Sequence, residues 1–262
     1  MIDPRLQDAV GSLIGRVRDR PPVIGVVGAQ GSGKTTLARA VAARIGGAQI
    51  SIDDVYLTRA EREAMAREVH PLFITRGPPG THDLVLLQQI IDRLCAAGPG
   101  VETLIPDFDK RGDDRWPVER WRRFRGRPAA ILIDAWCLGA LPEDAEALAR
   151  PVNALERDHD ADGAWRSEIN RRVAGDYADF AARLNGVLFL KAPSFDVVLD
   201  WRSQQEADLL GLAPADLPAA ERARLAGFIQ YFERITRRML SGGVRADITA
   251  TLGPDRAVLK LG

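Results

Sequence analysis

The feature that most constrains this chain is a glycine-rich segment between an apolar run and a helical pattern. Val23 to Val27 is a short, β-branched run that fits a buried strand. Helical periodicity then continues to Ala43, and Gly46-Gly47 ends it. Between them lies Gly28-Ala29-Gln30-Gly31-Ser32-Gly33-Lys34-Thr35-Thr36, which contains the spacing G-x-x-x-x-G-K-[ST]. The chain must therefore place a strand end, a tight turn and a helix N-terminus at one point.

Each position of this segment suits the binding of a polyphosphate. The glycines let backbone N–H groups turn inward around phosphate oxygens, and the helix N-terminus adds a favourable dipole. Lys34 is expected to neutralise the β- and γ-phosphates, and the Thr35 hydroxyl is expected to ligate Mg²⁺. We predict that residues 28–36 bind ATP. A glycine-rich turn before a capped helix is the plainer alternative.

Strand and helix patterns alternate along the rest of the chain. This alternation predicts an α/β fold of the P-loop NTPase type, a parallel sheet with helices on both faces. We expect strands at 48–52, 101–105, 129–133 and 187–190, two short strands in 246–261, and helices at 3–19 and 165–184. We predict a single domain over residues 1–262, with an N-terminal helix in 1–20, an Arg-rich insertion at 107–128 and a lid at 200–222.

Composition narrows the classes of partner. Lys plus Arg and Asp plus Glu both number 36, so the net charge of +0 provides no overall field for nucleic acid or anionic membrane. No apolar run approaches the roughly 20 residues that span a bilayer, and residues 1–20 do not resemble a signal peptide. Cys95 and Cys137 have neither metal-type spacing nor a disulfide framework. We expect a cytoplasmic protein without nucleic-acid or membrane partners, and the oligomeric state stays open.

One segment could argue for a nucleic-acid partner. Residues 115–127 contain six arginines with Trp116, Trp121 and Phe124 between them. That mixture is found in single-strand nucleic-acid grooves. It also fits a solvated loop whose aromatic side chains anchor it to the core, and the zero net charge favours the anchor.

An acidic pair follows the second predicted strand, in Ser51-Ile52-Asp53-Asp54-Val55-Tyr56. Ligands of parallel sheets bind beyond the carboxyl ends of the strands, so both carboxylates are expected near the phosphate loop. A kinase needs a carboxylate there to align or deprotonate the attacking hydroxyl. We assign that role to Asp53, with Asp54 assisting Mg²⁺ or capping the turn. An acidic turn that only caps the next helix is the alternative.

One further string makes the likeness to a known family specific. Arg76-Gly77-Pro78-Pro79-Gly80-Thr81-His82-Asp83, together with the Asp53 to Tyr56 segment, resembles the D-glycerate 3-kinase family, which is related to phosphoribulokinase, uridine kinase and pantothenate kinase. Other strings with this resemblance are Asp109-Lys110-Arg111-Gly112-Asp113, Ile131-Leu132-Ile133-Asp134-Ala135-Trp136 and Trp201-Arg202-Ser203-Gln204-Gln205-Glu206. The likeness covers about residues 20–210. Asp134-Ala135 stands where the family has Glu-Gly, and 107–128 is more Arg-rich, which leaves the acceptor identity open.

The resemblance implies roles for residues outside the phosphate loop. The acceptor would be a small hydroxy acid, with Arg76 gripping its carboxylate. Asp134 would belong to the Mg²⁺ shell, and Arg202 would approach the transferring phosphoryl from a lid. The expected substrate contacts are Asp53, Tyr56, Arg76, His82, Asp83, Lys110 and Arg115. The local alternatives are that Thr81 or Asp83 caps a helix, that Asp134 simply ends a strand, that Arg76, Lys110 and Arg115 are solvated, and that Arg202 pairs with Glu206.

The expected activity is phosphoryl transfer from ATP to a hydroxyl, with D-glycerate as the acceptor that the resemblance implies. Lys34, Asp53 and Arg202 are the predicted catalytic residues. No guanine-reading Asn-Lys-x-Asp string is present, which argues against a GTPase. Two alternatives remain at this point. One is a kinase for a nucleoside, a sugar phosphate or pantothenate, and the other is a non-catalytic, ATP-dependent regulatory or binding protein.

Overall fold

The computed structural model describes residues 2–262. The strands are β1 (Val23–Gly28), β2 (Ala48–Ser51), β3 (Glu102–Ile105), β4 (Phe108–Asp109), β5 (Asp114–Arg115), β6 (Arg122–Arg125), β7 (Ile131–Ala135), β8 (Gly186–Lys191), β9 (Ile248–Leu252) and β10 (Val258–Leu261). The helices are α1 (Pro4–Ile14), α2 (Lys34–Ile45), α3 (Arg59–Glu68), α4 (Leu84–Ala96), α5 (Ala145–Ala149), α6 (Ala154–His159), α7 (Ala164–Arg172), α8 (Ala178–Ala181), α9 (Val197–Leu210) and α10 (Ala219–Leu240). No helix of residues 2–262 is both long and apolar enough to cross a membrane.

The central sheet has six strands in the order β10-β9-β8-β1-β7-β2. Its pairs from β9 to β2 are all parallel, which confirms the predicted α/β fold. The exception is β10, which is antiparallel to β9 because a turn at residues 253–257 is too short for a crossover. In the register, Asp134 of β7 pairs with Val26 of β1 on one side and with Ser51 of β2 on the other. The carboxyl ends of these strands therefore lie side by side.

Two hydrophobic clusters cover the two faces of the sheet. Val23 and Val27 of β1 belong to one cluster, which α4 and α7 cover. The intervening Ile24 and Val26 belong to the other, which α1 and α2 cover. Because both faces are buried, β1, residues 131–133 of β7 and residues 186–190 of β8 are continuous apolar runs instead of alternating strands.

Three local expectations need correction. The first helix ends at Ile14 instead of residue 19, because Gly15 caps it and only Val17 is apolar before Pro21. The strand expected at 101–105 exists, but it pairs with β6 in a separate two-stranded sheet, since one of its faces is exposed. The helix expected over 165–184 ends at residue 181 and is interrupted by a π-helical turn at Val173–Tyr177.

Candidate active site

The phosphate loop runs from the end of β1 to the start of α2. Gly33 has a φ of 89°, a conformation that side chains rarely adopt, and a Cβ on Gly31 would lie 2.5 Å from Trp201 Cβ. The Lys34 ammonium donates to the Ala29 carbonyl at 3.2 Å, and burial lowers the pKa of Lys34 while Asp134 and Asp53 oppose that effect. The side-chain polar atoms of Gln30 and Ser32 Oγ are buried without partners among residues 2–262. Of these atoms, Gln30 Nε2 and Ser32 Oγ can donate hydrogen bonds to the oxygens of a ligand.

A carboxylate and two hydroxyls meet beside the loop. Asp134 is 1% exposed, and its Oδ2 accepts from Thr35 Oγ1 at 2.7 Å and from Ser51 Oγ at 3.0 Å. Its Oδ1 accepts from Gln49 Nε2 at 2.6 Å. Carboxylate and hydroxyl oxygens are the hard ligands that Mg²⁺ prefers. This set of oxygen atoms at the phosphate loop therefore fits the metal expected there.

Asp53 stands opposite the loop, on a 3₁₀ turn at Ile52–Val55 that follows β2. Its carboxylate accepts from Tyr56 Oη at 2.7 Å and from Lys110 Nζ at 3.0 Å. Burial alone would raise the pKa of Asp53, but Lys110, the Tyr56 hydroxyl and Lys34 together hold it well below its usual value. Asp53 is therefore an anion with its negative charge already matched by cations.

A cavity of about 110 Å³ separates Asp53 from the phosphate loop. Cationic side chains approach it from three further elements, namely Arg76 from the loop before α4, Lys110 from the insertion and Arg202 from α9. The structure thus brings together nine of the predicted residues, namely Gln30, Lys34, Thr35, Asp53, Tyr56, Arg76, Lys110, Asp134 and Arg202. Arg202 also donates to Gln205 at 2.7 Å and lies 3.9 Å from Glu206, so the local pairing considered from the sequence is present as well.

Four of the residues predicted outside the phosphate loop, Asp54, His82, Asp83 and Arg115, do not line this cavity. Asp54 forms a capping box with Ser51 and accepts from Arg122 at 2.6 Å. Burial raises the pKa of Asp54 to about 7, although Arg122 opposes the shift. The carboxylate of Asp54 is therefore occupied with local structure instead of facing the phosphate loop.

Of the other three, His82 and Arg115 contact Tyr56, and Asp83 caps a helix. The His82 ring stacks on the Tyr56 ring with centroids 4.8 Å apart. Arg115 donates to the Tyr56 carbonyl at 2.7 Å. Asp83 caps α4 by accepting from the Leu86 N–H at 2.8 Å. The helix-capping alternative for Asp83 is thus observed, and these residues hold the wall of the cavity in place.

The sequence missed several residues of the site. Asp113 binds the guanidinium groups of Arg59, Arg62 and Arg76, and this contact fixes Arg76 at the cavity. Trp136 and two phenylalanines of α10, Phe228 and Phe232, close the apolar side. The aromatic pair has i,i+4 spacing on a helix, which is also the pattern of ordinary core. The spacing of Phe228 and Phe232 therefore could not show that they line the site.

A wider groove of about 750 Å³ lies on the other side of the phosphate loop. Ser32, Gly33 and Thr36 line it together with Asp255 and Arg256 from the turn between β9 and β10. Arg256 donates from Nε to the Gly31 carbonyl at 2.6 Å. This volume lies within the roughly 300–1,000 Å³ of small-molecule sites, which is enough for the nucleoside part of ATP.

The Arg-rich insertion is ordered by its own aromatic residues. Trp121 Nε1 donates to the Trp116 carbonyl at 2.7 Å, and the Arg120 guanidinium lies 3.7 Å from the centre of the Trp116 ring. Phe124 packs against the main hydrophobic cluster. The aromatic side chains in this insertion therefore have contacts within the protein.

A loop that holds a polyphosphate, facing a carboxylate across a small gap, defines the class of P-loop kinases, which transfer phosphate from ATP to a small-molecule acceptor. The chain is 30% identical over 200 residues to the uncharacterized kinase mug58 of Schizosaccharomyces pombe, covering 71% of this chain and 70% of that protein. The chain therefore belongs to the same kinase family as mug58. It is also 26% identical over 234 residues to the probable ATP-dependent kinase TDA10 of Saccharomyces cerevisiae, covering 78% of this chain and 72% of that protein.

The fold has a solved counterpart. The D-glycerate 3-kinase of Cryptococcus neoformans superposes with a TM-score of 0.77 and 20% identity, covering 100% of this chain and 99% of that chain. The resemblance to D-glycerate 3-kinases inferred from the sequence is thus confirmed, with the structural match showing the fold alone. No family model matches the chain.

Proposed function

We propose that this protein is a Mg²⁺-dependent kinase that transfers the γ-phosphate of ATP to a hydroxyl of a small hydroxy acid, with D-glycerate as the acceptor. The observation that carries the proposal is the shared cavity. Lys34 and Thr35 of the phosphate loop and the Asp53 carboxylate line the same enclosed space. A phosphate donor and an alcohol held at those positions face each other.

The size of the cavity supports a small acceptor. At about 110 Å³ it falls below the roughly 300–1,000 Å³ typical of sites for drug-sized molecules. A nucleoside or pantothenate needs more room than that, whereas a three-carbon acid needs little.

The positive charges at the cavity support an acceptor that carries a carboxylate. Arg76, Lys110 and Arg202 all reach it, and Arg76 can bind a carboxylate through two parallel N–H donors. The guanidinium of Arg76 is held by Asp113 and by the Lys110 carbonyl, to which it donates at 3.1 Å. Because this geometry exists before the acceptor binds, Arg76 loses little conformational freedom on binding.

In the proposed reaction, the Lys34 ammonium exchanges the Ala29 carbonyl for phosphate oxygens. Asp53 accepts a hydrogen bond from the attacking hydroxyl and thereby aligns it. With its pKa held low, Asp53 acts first as an orienting anion and takes the proton as the new bond forms. Arg202, in the proposed lid at 200–222, stabilises charge on the transferring phosphoryl group.

Thr35 and Asp134 are the residues that would hold Mg²⁺. Their hydrogen-bonded oxygens fit a hard cation, which would neutralise negative charge on the β- and γ-phosphates. Asp54 is left out of this proposal because Ser51 and Arg122 occupy its carboxylate.

The test is a panel of acceptors with coupled detection of ADP. D-glycerate should stimulate ADP release strongly, and L-glycerate is the matched control for recognition of the hydroxyl. Phosphorus NMR of the product would identify the phosphorylated hydroxyl. Turnover with uridine, pantothenate or ribulose 5-phosphate, and none with either glycerate, would replace the proposed acceptor. ATP binding with no stimulation by any acceptor would instead favour a regulatory or binding protein.

A further inference from the structure

A buried glutamine lies behind the pair of residues that would hold the metal. Gln49 is in β2, between Ala48 and Ile50, and is 7% exposed. A polar amide at a buried position of a strand costs free energy unless its hydrogen bonds are made. Gln49 lines neither the acceptor cavity nor the wider groove beside the phosphate loop. Any role of Gln49 in the reaction must therefore be exerted through another residue.

The partner of the Gln49 amide is the carboxylate of Asp134. Gln49 Nε2 donates to Asp134 Oδ1 at 2.6 Å, and the amide nitrogen faces this oxygen because a carboxylate anion only accepts hydrogen bonds. The register of the sheet explains the contact, since β2 and β7 are parallel neighbours with Ser51 opposite Asp134. Alternate residues of a strand point to the same face, so both Gln49 and Ser51 reach Asp134 from β2.

The two oxygens of the Asp134 carboxylate have different partners. Oδ2 accepts from the hydroxyls of Thr35 and Ser51, at 2.7 Å and 3.0 Å, whereas Oδ1 accepts from Gln49. The last torsion of an aspartate side chain has a broad range, so the hydrogen bonds fix the plane of this carboxylate. Loss of the Gln49 donor would therefore free the carboxylate to turn away from the phosphate loop.

We propose that Gln49 is a positioning residue for the carboxylate that holds Mg²⁺. By binding Oδ1, Gln49 keeps Oδ2 of Asp134 at the Thr35 hydroxyl. A carboxylate that is already held loses little conformational freedom when it binds an ion. Replacing the hydrogen-bond partner of a metal-binding side chain typically lowers metal affinity by roughly 10–100-fold. The role of Gln49 rests on the proposed function, because it takes Thr35 and Asp134 as the residues that hold the metal.

The test measures metal affinity without turnover. Mn²⁺, detected by electron paramagnetic resonance, replaces Mg²⁺, and the full chain is saturated with a non-hydrolysable ATP analogue. Gln49→Met keeps the length of the side chain but removes the donor. We expect the affinity of this variant for Mn²⁺ to fall by about tenfold or more. Its affinity for the analogue in the presence of a chelator should stay unchanged, because the phosphate loop is intact, whereas a general loss of structure would lower both affinities.

A matched control lies on α4. Gln88 Nε2 donates to Asp92 Oδ1 at 2.8 Å, so this residue is also a glutamine bound to an aspartate, but at the protein surface. Gln88→Met should leave the affinity for Mn²⁺ unaltered. Thermal unfolding would show that both methionine variants fold.

A double-mutant cycle with Asp134→Asn tests whether Gln49 acts through Asp134. Asp134→Asn alone should weaken Mn²⁺ binding. Adding Gln49→Met to it should have little further effect, because the carboxylate that Gln49 holds is already absent. An equal loss of Mn²⁺ affinity from Gln49→Met in both backgrounds would overturn the positioning role.

The proposed metal site and the role of Gln49 can fail separately. Undiminished Mn²⁺ binding in Asp134→Asn would overturn both, and the acceptor panel would still test the kinase assignment. Weaker binding in Asp134→Asn, with normal binding in Gln49→Met, would overturn the role of Gln49 alone. If Gln49→Met did not fold, a crystal structure of the unmodified chain with Mg²⁺ and the ATP analogue would decide. Gln49 Nε2 should lie within hydrogen-bond distance of Asp134, and an amide turned away from it would contradict the proposal.

Discussion

The two halves of the active site differ in how their polar groups are satisfied. In the phosphate loop, Gln30 and Ser32 are buried with side-chain atoms that lack partners among residues 2–262. On the acceptor side, Asp53 is bound by Tyr56 and Lys110, and Arg76 is bound by Asp113. We therefore expect the nucleotide half to be completed by its ligand, whereas the acceptor half is neutralised by its own side chains. An acceptor hydroxyl must therefore exchange an existing contact of Asp53, whereas Asp113 keeps Arg76 in place.

Because the two halves differ in this way, we expect the substitution with the largest effect to change turnover and not nucleotide binding. Asp53→Asn keeps the shape of the side chain but removes the anion that aligns the hydroxyl. We expect kcat to fall by about 10³-fold or more, by the size of similar electrostatic losses, with ATP affinity nearly unchanged. Steady-state kinetics and calorimetry would measure both. Asp92→Asn, on an exposed part of α4, is the control, and near-normal turnover of Asp53→Asn would refute the assigned role.

Lys34→Ala should weaken the binding of ATP in the nucleotide half of the site. Loss of a charge-assisted hydrogen bond costs about 1.5–3 kcal/mol, which corresponds to a roughly 10- to 100-fold weaker affinity for ATP. Calorimetric titration with ATP would measure the change. Lys260→Ala, at an exposed lysine of β10, should leave the affinity unaltered. If both variants bound ATP as the unmodified chain does, Lys34 would not contact the phosphates.

Loss of the Asp113 carboxylate that holds Arg76 should have a smaller effect, which is confined to the KM for the acceptor. Asp113→Asn removes the carboxylate that positions Arg76, so the KM for D-glycerate should rise by about tenfold, equivalent to ~1.4 kcal/mol. The KM for ATP should stay constant, because Asp113 lines neither this cavity nor the groove proposed for the nucleoside. An equal rise in both KM values would indicate a general loss of structure instead of a misplaced Arg76.

The smallest expected effect is on stability and comes from His82. Burial lowers the pKa of His82 to about 4, below its usual value of about 6.5. The unfolded chain therefore binds more protons between these values, and the stability that neutral His82 contributes is lost as the pH falls through them. From about pH 7.5 to about pH 5.5 this loss should be roughly 1 kcal/mol.

The matched experiment for this prediction compares the unmodified chain with His82→Gln. Denaturant unfolding at the two pH values would measure the free energy of unfolding of each. Asp54, whose raised pKa acts in the opposite direction, is common to both chains and cancels in the difference. A pH dependence that is identical in the two chains would contradict the lowered pKa of His82.

The parts of this molecule that could be predicted from the sequence are those whose conformation depends on residues close together in the chain. The loop at residues 28–36 depends on glycine geometry and on adjacent residues, so it was predictable from the sequence. Asp53 and Asp134 were found because both follow apolar strands, and neighbouring parallel strands end together. The order of the strands brought these carboxylates to the same edge of the sheet.

The remaining parts depend on contacts between distant segments. Asp113 reaches Arg76 across 37 positions, and Arg256 reaches Gly31 across 225. Neither pair has a spacing that a motif could reveal. His82, Asp83 and Arg115 were predicted beside the substrate, but none of them lines the acceptor cavity in the structure. The sequence placed these three residues near the site. It could not show whether their side chains line the cavity or pack behind the residues that do.

The most direct measurement for the central claim is a crystal structure with a non-hydrolysable ATP analogue and D-glycerate bound together. We expect the γ-phosphate at Lys34, the glycerate carboxylate at Arg76 and one glycerate hydroxyl at hydrogen-bond distance from Asp53. Glycerate bound elsewhere, with Asp53 still closed on Lys110 and the triphosphate in its loop, would contradict it.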